Sequence, residues 1–234
     1  MIDKTLTTCV EAVSSVFDGA TVMLGGFGNV GMPGQLIEAL RIQGARDLTI
    51  ISNSGGTGDF ALGALFGDGS VRKLIASFPG NRATQFRELY LKGEVELELM
   101  PQGTMAERIR AAGAGLGGFY TPAGVGTELA AGKEIRVIDG REYLFQLPLK
   151  ADFAFIKAYQ GDRFGNLIYR GTMRNFNVVM ATAAKHVVAE VDEIVPAGAL
   201  SPDSIQTPGI FVTHLVQVPR HPKLLERPKA ESKS

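Results

Sequence analysis

Asp18-Gly19-Ala20-Thr21-Val22-Met23-Leu24-Gly25-Gly26-Phe27-Gly28-Asn29-Val30-Gly31-Met32-Pro33 joins an apolar strand to a glycine turn and then to a proline. Glycines in that place let a ligand approach the backbone closely, and the free N–H groups at a following helix start favour an anion or a carbonyl oxygen. Pro33 suits the first helical position, because its φ is already helical and its missing N–H would have had no helical partner. The segment therefore predicts a strand–loop–helix ligand cradle.

Outward from the cradle the same alternation continues. Residues 5–17 carry Val10, Val13, Val16 and Phe17 at helical spacing and predict a helix, and 20–24 predict a strand. Leu36, Ile37 and Leu40 mark a helix closed by Gly44, followed by a buried strand at Leu48-Thr49-Ile50-Ile51. Strands at 71–76 and 95–100 flank a helix at 83–92, and Thr104 with Glu107 has capping-box spacing for a helix at 105–112. Alternating strands and helices imply an α/β fold, an open and mostly parallel sheet with helices on both faces. From Gly113 to Pro122 a glycine-rich stretch predicts a loop or lid. Strands at 141–147, 152–159 and 166–170 predict a small β layer, with a turn at 161–165. A helix at 176–185 and strands at 186–191 and 211–218 complete the pattern. Residues 1–220 are expected to form the main domain and 221–234, rich in Lys, Glu, Pro and Ser, a loose tail.

Bulk composition excludes several classes. Acidic and basic residues number 24 each in the 234-residue chain, so there is no single-signed field to favour nucleic acid or an anionic membrane. No run approaches the ~20 apolar residues of a membrane helix. The single cysteine, Cys9, has no partner for an intrachain disulfide, and the N-terminus shows no apolar signal core, so a cytoplasmic location is expected. His186, His214 and His221 lack metal-ligand spacing, so no metal site is expected. Cys9 reads as a bystander thiol, and no serine lies in a Gly-x-Ser-x-Gly elbow.

Two amides stand out. Asn53 follows the second strand of the alternation and Gln102 follows the fourth, so a parallel sheet carries both to the edge where the cradle lies. Each alone also reads as an ordinary turn residue. Arg170 and Arg174 are candidates to meet a carboxylate or phosphate, or to stand as solvated charges. The rival to an acyl-ligand cradle is a dinucleotide site, since Gly26-x-Gly28-x-x-Gly31 matches that fingerprint. Against it, the strand ending in Ser52-Asn53-Ser54-Gly55-Gly56 offers no acid for a ribose before Asp59, and Pro33 stands where that helix should be under way. A non-catalytic ligand-sensing module is the third reading.

The order Gly25-Gly26-Phe27, three residues, Gly31, one residue, Pro33, preceded by Asp18-Gly19, resembles the signature of the alpha subunits of family I coenzyme A transferases. Arg46-Asp47-Leu48-Thr49, Ser52-Asn53, Pro101-Gln102-Gly103-Thr104, Ala106-Glu107-Arg108-Ile109-Arg110, Gly113-Ala114-Gly115, Arg174-Asn175-Phe176 and Thr207-Pro208-Gly209-Ile210 extend the resemblance over about residues 4–218. It implies a CoA-transferase-like fold and a CoA-transferase beta subunit for a partner, in a heterodimer or heterotetramer. Coenzyme A would be the co-substrate, with no tightly bound cofactor. It also implies a ping-pong reaction in which a glutamate attacks the acyl-CoA, giving a mixed anhydride and then an enzyme–CoA thioester. In that family the glutamate lies in a Ser-Glu-Asn-Gly motif of the beta subunit, and this chain has no such motif. By the resemblance, Gly25, Gly26, Phe27, Gly28, Asn29, Val30 and Gly31 meet CoA and the acyl group, and Asn53 and Gln102 face the reacting carbonyl. Where the family often shows Ser-Asn-Asn, this chain has Ser52-Asn53-Ser54. Ser77-Phe78-Pro79 and Gly161-Asp162-Arg163 resemble the 3-oxoadipate enzymes, which take CoA from succinyl-CoA. Arg82 is then the candidate cation for the distal carboxylate, and acetoacetate or another 3-oxo acid stays open as substrate.

Overall fold

The computed structural model describes residues 2–56, 58, 60–80 and 84–218. Arg82, Asp59, His221 and the expected tail lie outside the described residues. Thr5–Leu6 form β1 and Cys9–Val13 form α1, so the helix expected over 5–17 is much shorter. Thr5 and Leu6 are drawn into parallel pairing with Leu215 and Val216, and the Thr8 hydroxyl accepts the Glu11 N–H at 3.1 Å, which sets the helix start at Cys9.

The alternation then follows the expected order with one unexpected helix, α3, added. It comprises β2 (Thr21–Leu24), α2 (Gly34–Gln43), β3 (Leu48–Ser52), α3 (Leu62–Gly67), β4 (Val71–Ala76), α4 (Thr84–Leu91), β5 (Glu96–Leu99) and α5 (Gln102–Gly113). Beyond it come β6 (Phe119–Thr121), β7 (Ile135–Ile138), β8 (Arg141–Gln146), β9 (Ala151–Asp162), β10 (Leu167–Ile168), α6 (Asn175–Met180), β11 (Ala184–Val195) and β12 (His214–Gln217).

The main sheet runs β1-β12-β11-β9-β2-β3-β4-β5, parallel throughout, with β10 folded back antiparallel on β9. A separate antiparallel sheet holds β6, β8 and β7. Strand alternation divides the core in two. Val22, Leu24, Ile50, Leu74, Phe153 and Phe155 face α1 to α4, while Met23, Ile51, Ile75, Ala154 and Ile156 face α5 and α6. The direction in which successive parallel strands are added reverses between β2 and β9. From β2 the chain passes through α2 to β3 on one side, and from β9 it passes through α6 to β11 on the other. Such a switch point opens a crevice at the carboxyl ends of the strands, and the cradle leaves β2 there.

Several expectations are corrected. Pro33 is the residue before α2 (φ −80°, ψ 69°) rather than its first helical residue. Thr104 lies inside the first turn of α5, which begins at Gln102 after Pro101, so Thr104 and Glu107 form no capping box. Glu107 instead pairs with Arg110 at 2.8 Å. Of the stretch 113–122 expected as a loop or lid, residues 114–118 are turn and loop, Gly113 ends α5, and Phe119–Thr121 form the strand β6. Of the three strands expected in the small layer, only β8 belongs to it. The run Ala151–Asp162 is apolar on both faces and so is the central strand of the main sheet. Helix α6 is shorter than expected, and β11 starts at Ala184. Among the described residues, no helix is long and apolar enough to cross a membrane.

One charged cluster is built into this core. Lys157 of β9 lies 3.1 Å from Glu190 and 2.8 Å from Asp192 of β11, with all three side chains 10% exposed or less. Removing a buried counter-ion leaves desolvated charge behind, so Lys157→Met is expected to destabilise the protein by about 3–5 kcal/mol. Urea unfolding of the purified protein checks this, and a loss below ~1 kcal/mol would contradict it.

Candidate active site

At the carboxyl end of β2 the sheet ladder stops. Gly25 N–H still donates to the Phe155 carbonyl (2.9 Å), but the next β9 amide, that of Lys157, donates to Asn177 Oδ1 (2.8 Å) instead of to β2. The freed chain makes a tight hairpin in which Phe27 and Val30 exchange both backbone hydrogen bonds, at 3.0 and 3.1 Å. Gly28 and Asn29 form its tip. Gly26 has φ +114°, and a Cβ there would lie 3.1–3.3 Å from the backbone of Gly31 and Met32, so glycine is required on both counts. Gly26, Gly28 and Gly31 N–H have no partner among the described residues, which leaves a row of backbone donors along the loop.

The helix start behaves differently from expectation. The N–H groups of Gln35 and Leu36 donate to the Glu190 carboxylate at 2.9 and 3.2 Å. A buried carboxylate of the chain itself fills the place where an incoming anion was expected. A pyrophosphate cannot share that position, which removes the dinucleotide reading. At this sheet edge the unpartnered backbone donors lie in the loop ahead of α2 and not at the helix start.

Beside the loop, Leu24 and Ser52 are register partners, so Asn53 sits next to Gly25 at the sheet edge. Gln102 reaches back from the start of α5 and its Nε2 donates to Asn53 Oδ1 at 2.7 Å. The Ser77 hydroxyl, just past β4, lies 3.0 Å from the Asn53 carbonyl oxygen and 3.1 Å from Oδ1. With its oxygen held by two donors, Asn53 has its Nδ2 left without a partner among the described residues. The structure thus joins the two expected amides and gives them different tasks. Asn53 offers a free donor, and Gln102 spends one of its two donors on fixing it.

The remaining candidates fall elsewhere. Arg170 stacks on Tyr159 with its guanidinium carbon 5.4 Å from the ring centroid, and Arg174 is exposed at the start of α6. His186 stacks on Phe153 at 5.3 Å. Among the described residues no group of three His, Cys, Asp or Glu side chains is placed to hold a metal. Ser54 is buried and bridges to Phe78. Sequence reasoning gave no site role to Ser77, Asn175, Asn177 or Glu190, although Ser77 and Asn175 lie in stretches that carry the resemblance. Ser77 had a readable signal, since it follows a strand of the same sheet as Asn53 does. The other three come from strands and helices remote in sequence from the loop they hold.

Cys9 is half-buried near Glu190. Burial first, and then that carboxylate, push its thiol up to about 11, with Lys157 opposing. At pH 8 the thiolate should be on the order of 0.1% of the population, and labelling by a disulfide reagent should be far slower than for a free thiol and rise with pH. Fast stoichiometric labelling at pH 8 would contradict the bystander role.

The family model described as coenzyme A transferase matches residues 6–218. The alpha-type subunit of the 3-oxoadipate CoA-transferase of Pseudomonas putida is 55% identical over 93% of this chain and 95% of its own. The corresponding subunit of a probable succinyl-CoA:3-ketoacid coenzyme A transferase of Bacillus subtilis is 48% identical over 96% and 94%. An acyl-CoA transferase of E. coli O157:H7, solved as a thioester complex with CoA, superposes with a TM-score of 0.86 at 25% identity. That match covers 96% of this chain but 49% of the E. coli chain, so this chain spans about half its length. With the family model matching nearly the whole described length, the chain belongs to the coenzyme A transferase family.

Proposed function

We propose that the chain is the alpha subunit of a two-subunit transferase that moves CoA from succinyl-CoA to a 3-oxo acid, with 3-oxoadipate the preferred acceptor. The observation that carries this reading is the pairing of a glycine loop rich in free backbone donors with an asparagine whose amide nitrogen alone is left to donate. Acyl transfer needs donors aimed at the oxygen on which charge develops, and a preorganised donor is worth more than a mobile one. The cluster of Asn53, Ser77 and Gln102 holds no carboxylate, and the chain has no Ser-Glu-Asn-Gly motif. By the resemblance the attacking glutamate is assigned to the partner, the beta subunit. The apolar rim of the same edge, with Phe27 51% and Phe78 44% exposed, supports a surface that the partner covers.

In this reading the loop from Gly25 to Gly31 receives the CoA ester, and Asn53 Nδ2 donates to the acyl oxygen while the partner's carboxylate attacks. Gln102 and Ser77 hold Asn53 in that orientation. Ordinary cytoplasmic conditions and no tightly bound cofactor are part of the same proposal, as is a main domain ending near residue 220. Arg82 remains the proposed contact for the distal carboxylate. The 3-oxoadipate preference is supported by the Pseudomonas relative being more similar than the Bacillus one.

The test is acyl-CoA:acid exchange by the chain mixed with its partner. We expect exchange with succinyl-CoA, faster for 3-oxoadipate than for acetoacetate, and none from this chain alone. Full exchange by the isolated chain would overturn the division of labour, and faster turnover of acetoacetate would overturn the substrate preference. In the assembled enzyme Asn53→Ala removes the donor itself and should lower kcat by up to about 10²–10³, and Gln102→Ala, which only loosens Asn53, should lower kcat by a smaller factor. An unchanged kcat in either variant would remove that residue from the site.

A further inference from the structure

Asn177, in α6 and remote in sequence from the cradle, is fully buried, and yet its side chain makes polar contacts at both ends of the amide. Oδ1 accepts the Lys157 N–H at 2.8 Å, and Nδ2 donates to the carbonyls of Gly31 at 2.9 Å and Met173 at 2.8 Å. The first bond replaces the one that β2 would have made had it continued along β9. The second ties down the far end of the loop. A Cβ on Gly25 would lie 1.9 Å from Asn177 Oδ1, and one on Gly31 would lie 2.8 Å from Nδ2, so the two glycines at the ends of the cradle are spaces for this one amide. Asn175, two residues earlier, donates to the Val30 carbonyl at 3.0 Å and to the Thr172 carbonyl at 2.8 Å.

An amide in this place satisfies what the switch point leaves unpaired. Without it, a buried amide of β9 and a carbonyl of the loop would both lack partners, and the loop would be free to collapse toward β9. We propose that Asn177, assisted by Asn175, is a positioning residue for the CoA ester: it holds the Gly25–Gly31 loop away from β9 with its free N–H groups presented to the ligand. The inference rests on the functional reading above, which places the CoA ester in that loop. Asn177 touches the loop backbone and not the reacting atoms, so its effect should fall on ester binding.

The test uses the assembled two-subunit enzyme with succinyl-CoA as the probe. Asn177→Asp keeps the shape and the acceptor for Lys157 but turns an oxygen toward the Gly31 and Met173 carbonyls. It should raise KM for succinyl-CoA about tenfold or more with kcat reduced much less, because misplacement of a binding loop removes binding that ground state and transition state share. Asn175→Ala keeps the Asn177 bonds to Lys157, Gly31 and Met173 and frees the Val30 and Thr172 carbonyls, so it should move KM in the same direction by a smaller factor and stays informative where the first variant fails to fold. A merely structural role predicts a smaller active fraction, which lowers kcat and leaves KM unchanged. That pattern in Asn175→Ala, or wild-type KM in a folded Asn177→Asp enzyme, would overturn the inference alone. No exchange by the wild-type assembly would overturn the functional reading and this inference together.

Discussion

Everything at this sheet edge depends on one geometric conflict. β2 must leave the sheet at Gly25 while β9 beside it continues for several residues, and a parallel ladder broken in the core strands backbone donors and acceptors. Two side chains resolve it. Asn177 takes over the missing pairing with Lys157 and anchors Gly31, while Glu190 accepts from the first N–H groups of α2. Lys157 links the two, since its backbone N–H bonds Asn177 and its ammonium group pairs with Glu190. The loop is thus held by polar groups from β9, β11 and α6, and the glycines leave the room for them.

This arrangement separates two tasks that the glycine motif alone would merge. The helix N-terminus, the usual anion site of a strand–loop–helix unit, is consumed internally by a carboxylate. What remains in the proposed function is the set of unpartnered N–H groups in the loop, donors to a carbonyl oxygen or an anionic oxygen. Next to it, Asn53 is oriented by donors from two further loops. In the proposed function this edge of the sheet, bordered by exposed Phe27 and Phe78, is half of an active centre whose other half brings the nucleophile.

Much of this was legible in the sequence, for physical reasons that can be named. The strands from β2 to β5 were readable because each is short and bounded by glycine or polar turns, with β2 and β3 mostly apolar and β5 alternating Glu with Leu. Asn53 and Gln102 were placed correctly at one edge because a parallel sheet sends every strand end to the same side. The central strand β9 was misplaced because its residues alternate between two buried faces, and an apolar run of that kind carries no sign of which sheet it joins. α3 was missed because Leu62-Gly-Ala-Leu-Phe-Gly has two glycines in six residues and a weak helical pattern. Glu190 and Asn177 were not visible at all, since their meaning lies in contacts across more than 100 residues of chain.

The central claim is that this chain shapes and polarises the site while the bond-making group belongs to its partner. Trapping the covalent intermediate tests it most directly. The assembled enzyme is incubated with succinyl-CoA, reduced with borohydride and digested, and the modified peptide is located by mass spectrometry. The account predicts one reduced glutamyl residue on the partner, with this chain unmodified; a stoichiometric modification on any residue between Met1 and Ser234 would contradict it.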